Sequence, residues 1–397
     1  MHREDFPLLK QNIIYFDNGA TTLKPQVMIN SIVDYYTNYS ANAHRGDYDI
    51  SMKVDEAYEK ARITIQKFIH ANKTKEIIFT SGTTDSLNRI VFGYFKHQLQ
   101  PGDEVLLTVS EHASNLLPWF ELEDQIGIKV KYISLDENYE VTLDNVKKAI
   151  TEKTKVISLS HITNVIGDIR PMREIVQFAH QHNILCVVDG AQSVPHLPID
   201  VQSLDFDFLT FSGHKMCGPT GIGVLYVKEK LLPDLKPITY GGGMNASFTP
   251  SGERLYQSSP DLYEAGTQHI AGVIGLGVAV DYLNQIGMDK IHKYEAELKE
   301  YAVKRLHEIP QITIYNEHSK SGIISFNYEG IFAQDLAIYL NKYHICVRAG
   351  SHCAKILNEE IGIKNTCRIS FYFYNTKEEI DTLIEVLKNP DIKEEII

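Results

Sequence analysis

Cysteine is scarce in this sequence, and its few positions form no recognisable pattern. Five cysteines occur among 397 residues, at Cys186, Cys217, Cys346, Cys353 and Cys367, and no two have the spacing of a CxxC pair. This odd, scattered set excludes a disulfide scaffold and a zinc ribbon. Free thiols fit the reducing conditions of the cytosol, so we expect a cytoplasmic protein without a metal site.

Long hydrophobic runs and an excess of basic residues are also missing. The longest apolar run, residues 270–280, is too short to span a bilayer and is interrupted by glycines. The first residues, Met-His-Arg-Glu-Asp, lack the basic start and apolar core of a signal peptide. Acidic residues outnumber basic ones by 51 to 39, a formal net charge of -12. Because Lys and Arg drive binding to phosphate backbones, we expect neither a nucleic acid nor a membrane as partner.

Seven short β-rich runs alternate with helical patterns in the first two thirds of the chain. They are EIIFT (76–80), EVLLT (104–108), VKYIS (130–134), VISLS (156–160), ILCVVD (184–189), FDFLTFS (206–212) and GVLYV (223–227). Between the first two, Leu87, Ile90, Val91 and Tyr94 have the spacing of an amphipathic helix. This alternation predicts an α/β fold with a large, mainly parallel seven-stranded sheet and helices on both faces.

The remainder of the chain has a different pattern. It predicts a charged helix over 289–308, strands at 311–315, 322–328, 346–348 and 368–374, a helix over 333–343 and a last helix from Lys377. These elements have the size of a small α+β domain. We therefore predict a large domain over residues 18–283 and a small C-terminal domain over 284–397, with residues 1–17 packed near the small one.

Polar residues that follow the predicted strands are candidates for a site, because ligands of open parallel sheets bind beyond the carboxyl ends of strands. Residues 81–84 (SGTT) open a helix with the donors of an anion site, although an ordinary capped helix start looks the same. Asp189 ends an apolar strand, where it needs a cationic partner or caps the next turn. Lys215, beside Ser212 and His214, is a candidate Schiff-base amine or phosphate clamp, or a solvated loop lysine.

Together, these three features are the parts of a pyridoxal 5'-phosphate (PLP) site. The phosphate needs N–H and hydroxyl donors, the pyridinium nitrogen needs a carboxylate, and the aldehyde needs a lysine amine. No GxGxxG follows the first strand, which makes a dehydrogenase a poor alternative. The combination predicts a PLP-dependent enzyme.

Several ordered stretches resemble the class V aminotransferases, a family of fold-type I PLP enzymes, and within it the SufS-type cysteine desulfurases. They are EHASNLLPW (111–119), TNVIG (163–167), VVDGAQS (187–193), FSGHKMCGPTGIGVLYV (211–227), RAGSHCA (348–354) and CRISFYFYNTKEE (367–379). The likeness extends over nearly the whole chain. It implies the PLP-dependent transferase fold type I and a homodimer with active sites at the subunit interface.

The resemblance implies a role for each residue around the cofactor. Lys215 would attach to the aldehyde and later move protons, Asp189 would pair with the ring nitrogen, and Gln192 would bind the ring hydroxyl. His112 would stack on the ring, although without the resemblance it is an ordinary polar loop histidine. The phosphate would be held by Thr83, Thr84, Ser212 and His214 and by Thr267 of the other subunit.

The resemblance also implies a substrate site. Arg368 would bind the substrate carboxylate, because a guanidinium binds carboxylates bidentately. Without the resemblance, the sequence favours a strand arginine in a surface ion pair. Asn164 would lie beside the ring and this carboxylate. His44, Arg45 and Arg348 would line the site.

Cys353 decides the reaction class that the resemblance implies. In a desulfurase, a protein thiolate attacks the sulfur of bound L-cysteine, which leaves a persulfide and releases alanine. A lone cysteine is more often a buried small hydrophobe, which suits Cys186 and Cys346. Cys353 instead follows Gly-Ser-His, where a thiol can be exposed and partly ionised. Its short Arg-x-Gly-x-His-Cys spacing resembles the SufS type rather than the NifS/IscS type.

Four positions depart from the pattern of that family. Leu262 and Gln268 flank the Glu-Ala-Gly-Thr segment, which leaves the details of the cross-subunit contact open. Ser351 replaces a common histidine. Cys217 stands where a bulky residue is usual and is a second candidate thiol, although close packing is favoured.

The preferred hypothesis is a homodimeric cysteine desulfurase that supplies sulfur for iron–sulfur cluster assembly, with a SufE- or SufU-type protein as acceptor. The alternatives are a selenocysteine lyase, another class V aminotransferase or an epimerase. A catalytically silent scaffold of the same fold is a further alternative from a different class. The joint presence of Lys215, Asp189 and Arg368 argues against the scaffold.

Overall fold

The structure is a computed structural model that describes residues 2–43 and 46–396. The strands are β1 Ile14–Tyr15, β2 Ile77–Thr80, β3 Glu104–Leu107, β4 Lys129–Tyr132, β5 Thr154–Ser160, β6 Leu185–Asp189, β7 Phe208–Ser212, β8 Gly223–Val227, β9 Asn245–Phe248, β10 Arg254–Tyr256, β11 Ile312–Tyr315, β12 Ile323–Tyr328, β13 Ile345–Cys346, β14 Arg348–Gly350 and β15 Thr366–Ser370. The helices are α1 Gln26–Asn38, α2 Asp49–Phe68, α3 Thr83–Asn88, α4 Leu117–Ile126, α5 Leu143–Ala149, α6 Met172–Gln181, α7 Ile270–Ile286, α8 Met288–Leu306, α9 Ala333–Lys342, α10 Lys355–Glu360, α11 Lys377–Leu387 and α12 Ile392–Glu395.

Seven strands form the central sheet, in the order β2-β8-β7-β6-β5-β3-β4. Only β8 runs antiparallel to its neighbours, and the other pairs are parallel. Successive residues point to opposite faces, so Ile77 packs in one apolar cluster with α7 and Ile78 packs in another with Trp119 of α4. Because both faces are covered, the strands are continuous apolar runs. The predicted fold class is confirmed.

The seven predicted strands are all present, each within two residues of its predicted bounds. Three other elements differ. The strand predicted over 346–348 is divided into β13 and β14, which belong to different sheets. The helix through Leu87 and Tyr94 begins as α3 but continues over Arg89–Tyr94 as a π-helix, with its apolar side still buried. The strand predicted over 368–374 ends at Ser370. The following aromatic residues, 371–374, are buried outside the sheet, and a short run that is buried on all sides looks like a strand in sequence.

A second, antiparallel sheet, β11-β12-β15-β14, has its own apolar core with Leu298 of α8, Leu336 of α9 and Leu383 of α11. The N-terminal segment joins this part of the molecule, because Ile14 of β1 pairs in parallel with Ile345 of β13. The division of the chain into domains at residue 284 stays a prediction.

No single helix among the described residues is long and apolar enough to cross a membrane. Helices α7 and α8 pass such a test only when they are taken together, and they are bent by 73° at the break between them. Helix α7 is almost entirely buried in the core of the large sheet.

A charged cluster lies at the C-terminal end of α6, centred on His180. The His180 ring nitrogens Nδ1 and Nε2 lie 2.9 Å from Asp205 Oδ2 and 2.7 Å from Asp207 Oδ2. Asp207 is fully buried and also accepts the Cys186 N–H at 3.0 Å. The hydrogen bond to Asp207 raises the pKa of His180 above its ordinary value of 6.5. The folded protein therefore holds the imidazolium more tightly than the unfolded chain does.

We predict that replacing His180 with Gln destabilises the protein more at pH 6 than at pH 8.5. A raised pKa contributes stability that is fully present below the unfolded pKa and is lost as the pH rises through the folded pKa. The expected loss at pH 6 is about 1 kcal/mol, because the cluster is partly exposed. Urea unfolding at both pH values measures it, with the exposed neighbour His182→Gln as control. An equal loss at the two pH values would contradict the prediction.

Candidate active site

A cavity of about 260 Å³ opens where the carboxyl ends of β5, β6 and β7 meet. The structure brings most of the predicted site residues together in its walls, namely Thr83, Thr84, His112, Asn164, Asp189, Gln192, Ser212, His214, Lys215, Arg348, Cys353 and Arg368. Thr267 is exposed and lies outside this lining. His44 and Arg45 lie outside the described residues.

Lys215 follows β7 in a short 3₁₀ turn, Gly213–Lys215, that delivers its amine to the cavity. The pKa of Lys215 is lowered from 10.5 to about 8, and burial is the largest cause. Asp189 opposes this shift, while Arg368 and Arg348 contribute to it. A larger fraction of the amine is therefore unprotonated near neutral pH. An unprotonated lysine amine is the form that condenses with an aldehyde.

Asp189 is the last residue of β6 and is only 4% exposed. Its Oδ1 accepts the N–H of Ala191 at 2.9 Å. Burial raises the pKa of this carboxyl to about 6, against the effects of the Ala191 N–H and of Lys215. A buried carboxylate of this kind gains from a cationic partner, and the protonated ring nitrogen of PLP is such a partner.

His112 is held in its neutral form at the wall of the cavity. Its Nδ1 accepts the backbone N–H of Ser114 at 3.1 Å, which requires an unprotonated Nδ1. Burial lowers the pKa of His112 to about 4, and Lys215 contributes to the same shift. A neutral imidazole suits stacking on an aromatic ring.

Hydroxyl groups gather at the start of α3. Ser212 Oγ accepts the Thr83 N–H at 2.8 Å and lies 2.9 Å from Thr83 Oγ1, while Thr84 Oγ1 lies 2.7 Å from Ser114 Oγ. Gly82 precedes them with φ 149°, and a Cβ on Gly223 would lie 2.5 Å from the Gly82 Cα. Glycine is therefore required at position 223 for this close approach. The hydroxyl groups that gather at this helix start are of the kind that can surround a phosphate.

Two buried amide oxygens in this cavity lack a hydrogen-bond partner among the described residues. They are Asn164 Oδ1 and Gln192 Oε1. The amide nitrogens of both side chains are engaged, to His352 O and Gly19 O, each at 2.7 Å. Buried polar atoms without partners are costly, so the cavity is built for a polar molecule. Together with the carboxylate, the amine and the hydroxyl cluster, this donor and acceptor set fits PLP.

Arg368 lies on β15, lines the same cavity and is 2% exposed. Its Nη1 donates to Asn164 O at 2.7 Å, and its Nη2 lies 3.1 Å from Asp17 Oδ1. Asp17 also reaches Arg348, with 3.4 Å between Arg348 Nη1 and Asp17 Oδ2. The two cations share one carboxylate, so a positive charge remains to attract a substrate carboxylate.

Cys353 is the exposed cysteine among the five, and it borders the cavity. The backbone around it is fixed, because the Ala113 N–H donates to Cys353 O at 2.9 Å and Asn164 Nδ2 donates to His352 O. Cys217, the second candidate thiol, is fully buried, and burial raises its pKa to about 12. Cys186 and Cys367 are also buried, and Cys346 is half-buried.

Sequence reasoning missed a buried charge network behind His112. Arg170 and Glu111 form an ion pair with no exposed side-chain surface. Glu111 Oε2 accepts the Ser160 N–H and Asn115 Nδ2, each at 2.8 Å, while Arg170 donates to Ser160 O at 3.0 Å. Glu111 stands directly before His112, which is a usable signal, whereas nothing in the sequence marks Arg170 as its partner.

A second missed pair holds the segment that contains Thr267. Glu264 accepts two hydrogen bonds from Arg62, at 2.8 and 2.9 Å, and the Phe79 N–H at 2.7 Å. Tyr58 donates to the same carboxylate at 3.0 Å. The start of the Glu-Ala-Gly-Thr segment is thereby fixed to β2, and Thr267 stands exposed three residues later.

Comparison with known proteins assigns this site to a class. The model of the class V aminotransferase family matches residues 14–383. A probable cysteine desulfurase of Halalkalibacterium halodurans is 43% identical over 388 residues, which cover 96% of this chain and 95% of that protein. The chain belongs to the class V aminotransferase family, and PLP is its expected cofactor.

Solved structures narrow the class. The apo structure of the cysteine desulfurase of Thermococcus onnurineus NA1 matches with a TM-score of 0.94 at 36% identity, covering 97% of this chain and 96% of that one. The cysteine desulfurase CsdA of Escherichia coli, in an S-sulfonic acid form, matches with a TM-score of 0.93 at 35% identity, covering 100% and 98%. Within its family, the protein is a PLP-dependent cysteine desulfurase.

We predict that Arg170→Gln destabilises the protein by about 3–5 kcal/mol, because it leaves the Glu111 carboxylate buried without its cation. The double variant Arg170→Gln/Glu111→Gln should recover much of this loss. Urea unfolding measures both, with Arg173→Gln as control, because Arg173 is exposed and lies three residues later, at the start of α6. A single variant as stable as the control would show that the pair does not support this part of the site.

Proposed function

We propose that the protein converts L-cysteine to L-alanine and receives the sulfur as a persulfide on Cys353. The observation that carries the proposal is the placement of one exposed thiol, on a fixed backbone, in the wall of the cavity that also contains Lys215 and Arg368. The other cysteines are buried or half-buried.

Each residue of the site has a task in this reaction. PLP, when bound, withdraws electrons from the substrate Cα. Arg368 binds the substrate carboxylate and so fixes the direction of the substrate side chain. Asp189 would pair with the ring nitrogen of PLP. Lys215 takes the proton from Cα, which its lowered pKa permits near neutral pH.

The sulfur transfer itself uses Cys353. Its thiolate attacks the substrate sulfur, so that a new S–S bond forms as the Cβ–S bond breaks. The electron pair of the broken bond stays on the carbon fragment, which is protonated to give alanine. His112, which also lines the cavity, would stack on the PLP ring and would exchange a proton with the departing amino acid.

The proposal extends to the destination of the sulfur and to the location of the protein. We place sulfur delivery in iron–sulfur cluster assembly, with a SufE- or SufU-type acceptor, because the segment that carries Cys353 is short as in the SufS type. The acceptor thiol requires reducing conditions, which supports a cytoplasmic location. Residues 18–283 supply most of the PLP site, and residues 284–397 supply Arg348, Cys353 and Arg368.

A homodimer is part of the proposal because Thr267 is exposed and outside the lining of its own chain's cavity. A hydroxyl at the end of an anchored segment can contact the phosphate of a second subunit. Exposed apolar side chains support such an interface, among them Phe248, 74% exposed, and Leu255, 62% exposed, on the hairpin β9–β10.

We predict that Cys353→Ala loses protein-bound persulfide and falls to under about 1% of wild-type alanine formation, because the nucleophile that accepts sulfur is missing. Incubation with L-cysteine, followed by alanine assay and mass spectrometry of the protein, measures both. Cys346→Ala should retain both products. Persulfide on Cys353→Ala would assign the nucleophile elsewhere, and turnover of selenocysteine alone would favour the lyase.

We predict that mixing two inactive variants restores activity if sites are shared between subunits. Lys215→Ala lacks the amine, and Thr267→Glu puts a negative charge at the phosphate of the other subunit. Random exchange makes half of the dimers hybrids, each with one intact site, so about a quarter of wild-type activity should return. Mixing Lys215→Ala with Lys215→Ala/Thr267→Glu supplies no intact site and is the control. Inactive hybrids would contradict the cross-subunit role.

A further inference from the structure

Two arginines of the substrate side of the cavity face each other directly. Arg348 of β14 and Arg368 of β15 are paired residues in the antiparallel ladder. Like charges in directly opposed positions of a sheet destabilise each other. A pair of this kind needs an anion, or its side chains separate.

Asp17 supplies that anion from a different part of the chain. Its Oδ1 lies 3.1 Å from Arg368 Nη2, and its Oδ2 lies 3.4 Å from Arg348 Nη1. The side chain of Asp17 is 20% exposed and that of Arg348 is 48% exposed, whereas Arg368 is 2% exposed. The Asp17–Arg368 contact is therefore the better shielded one, and it is the stronger of the two.

The backbone around Asp17 is fixed against the same sheet. Asp17 forms a parallel bridge with Ser370, and the Ser370 N–H donates to Phe16 O at 2.7 Å. Two residues later, Gly19 packs on the guanidinium: a Cβ there would lie 3.2 Å from Arg368 Cζ and Nη2. The segment from Phe16 to Gly19 thus fixes the position of the Arg368 fork from one side, while Asn164 O holds Nη1 from the other.

We propose that Asp17 is a positioning residue for recognition of the substrate carboxylate. One carboxylate holds two opposed arginines together and aims Arg368 at the cavity. This inference rests on the proposed function, in which Arg368 binds the carboxylate of L-cysteine, and it assigns the residue that prepares that arginine.

The test compares wild-type enzyme, Asp17→Asn and Asp17→Glu. Without the negative charge, Arg368 is repelled by Arg348 and loses its orientation. We expect Asp17→Asn to raise the KM for L-cysteine about 10-fold, the effect of one charge-assisted hydrogen bond, with kcat changed less than about threefold. Asp17→Glu keeps the negative charge, so its KM should lie between those of Asp17→Asn and the wild type. The control is Asp144→Asn on α5, whose side chain is 80% exposed.

A binding measurement separates positioning from a general structural defect. The dissociation constants of L-alanine and of ethylamine, which lacks the carboxylate, are measured from cofactor absorbance. Asp17→Asn should raise the dissociation constant of L-alanine about 10-fold and leave that of ethylamine unchanged. Removing the opposing charge in Asp17→Asn/Arg348→Gln should restore part of the L-alanine affinity, because the repulsion on Arg368 is gone.

The outcomes are distinct from those that test the proposed function. Wild-type enzyme that makes no alanine from L-cysteine refutes the proposed function, whatever Asp17 does. The role of Asp17 is refuted if Asp17→Asn binds L-alanine as tightly as wild type does. It is also refuted if the affinities for L-alanine and ethylamine fall equally. A fall in kcat at unchanged KM refutes it as well.

Discussion

Removal of charged groups from water is the constraint on which the site depends. Lys215, Asp189 and Arg368 line one cavity, in which Asp189 and Arg368 are buried and Lys215 is half-buried. Burial lowers the pKa of Lys215 and raises that of Asp189. The cost of burying such groups has to be offset by partners. Here the cationic ring nitrogen of PLP would pair with Asp189, its aldehyde would react with Lys215, and the substrate carboxylate would bind Arg368.

The scaffold meets the same constraint with ion pairs of its own. Glu111 and Arg170 fix the segment that carries His112, and Glu264 and Arg62 fix the segment that leads to Thr267. Pairs of this kind add little net stability compared with apolar packing, but breaking one partner is costly. Their value here is that the backbone on which the site residues stand has one favoured arrangement.

The sequence predicts the sheet well because buried parallel strands are continuous apolar runs, and it predicts Lys215 and Asp189 because both stand at strand ends. It does not predict which distant charges meet. Glu111 and Arg170 are 59 residues apart, and Asp17 and Arg368 are 351 apart, and only the folded topology brings them together. The strand prediction for the aromatic run after Ser370 is wrong. These residues are buried on all sides, so the sequence lacks the alternation of apolar and polar residues that distinguishes a strand from other buried segments.

The two hydrogen bonds that hold the backbone of His352 and Cys353 have a consequence for sulfur delivery. Both bonds lead to the large-sheet part of the chain, through Ala113 and Asn164. If Cys353 carries sulfur as proposed, the sulfur would move by rotation of the side chain and not by displacement of the whole segment. Under the proposed function, the acceptor would therefore have to bring its own thiol close to the cavity in order to take the sulfur from Cys353.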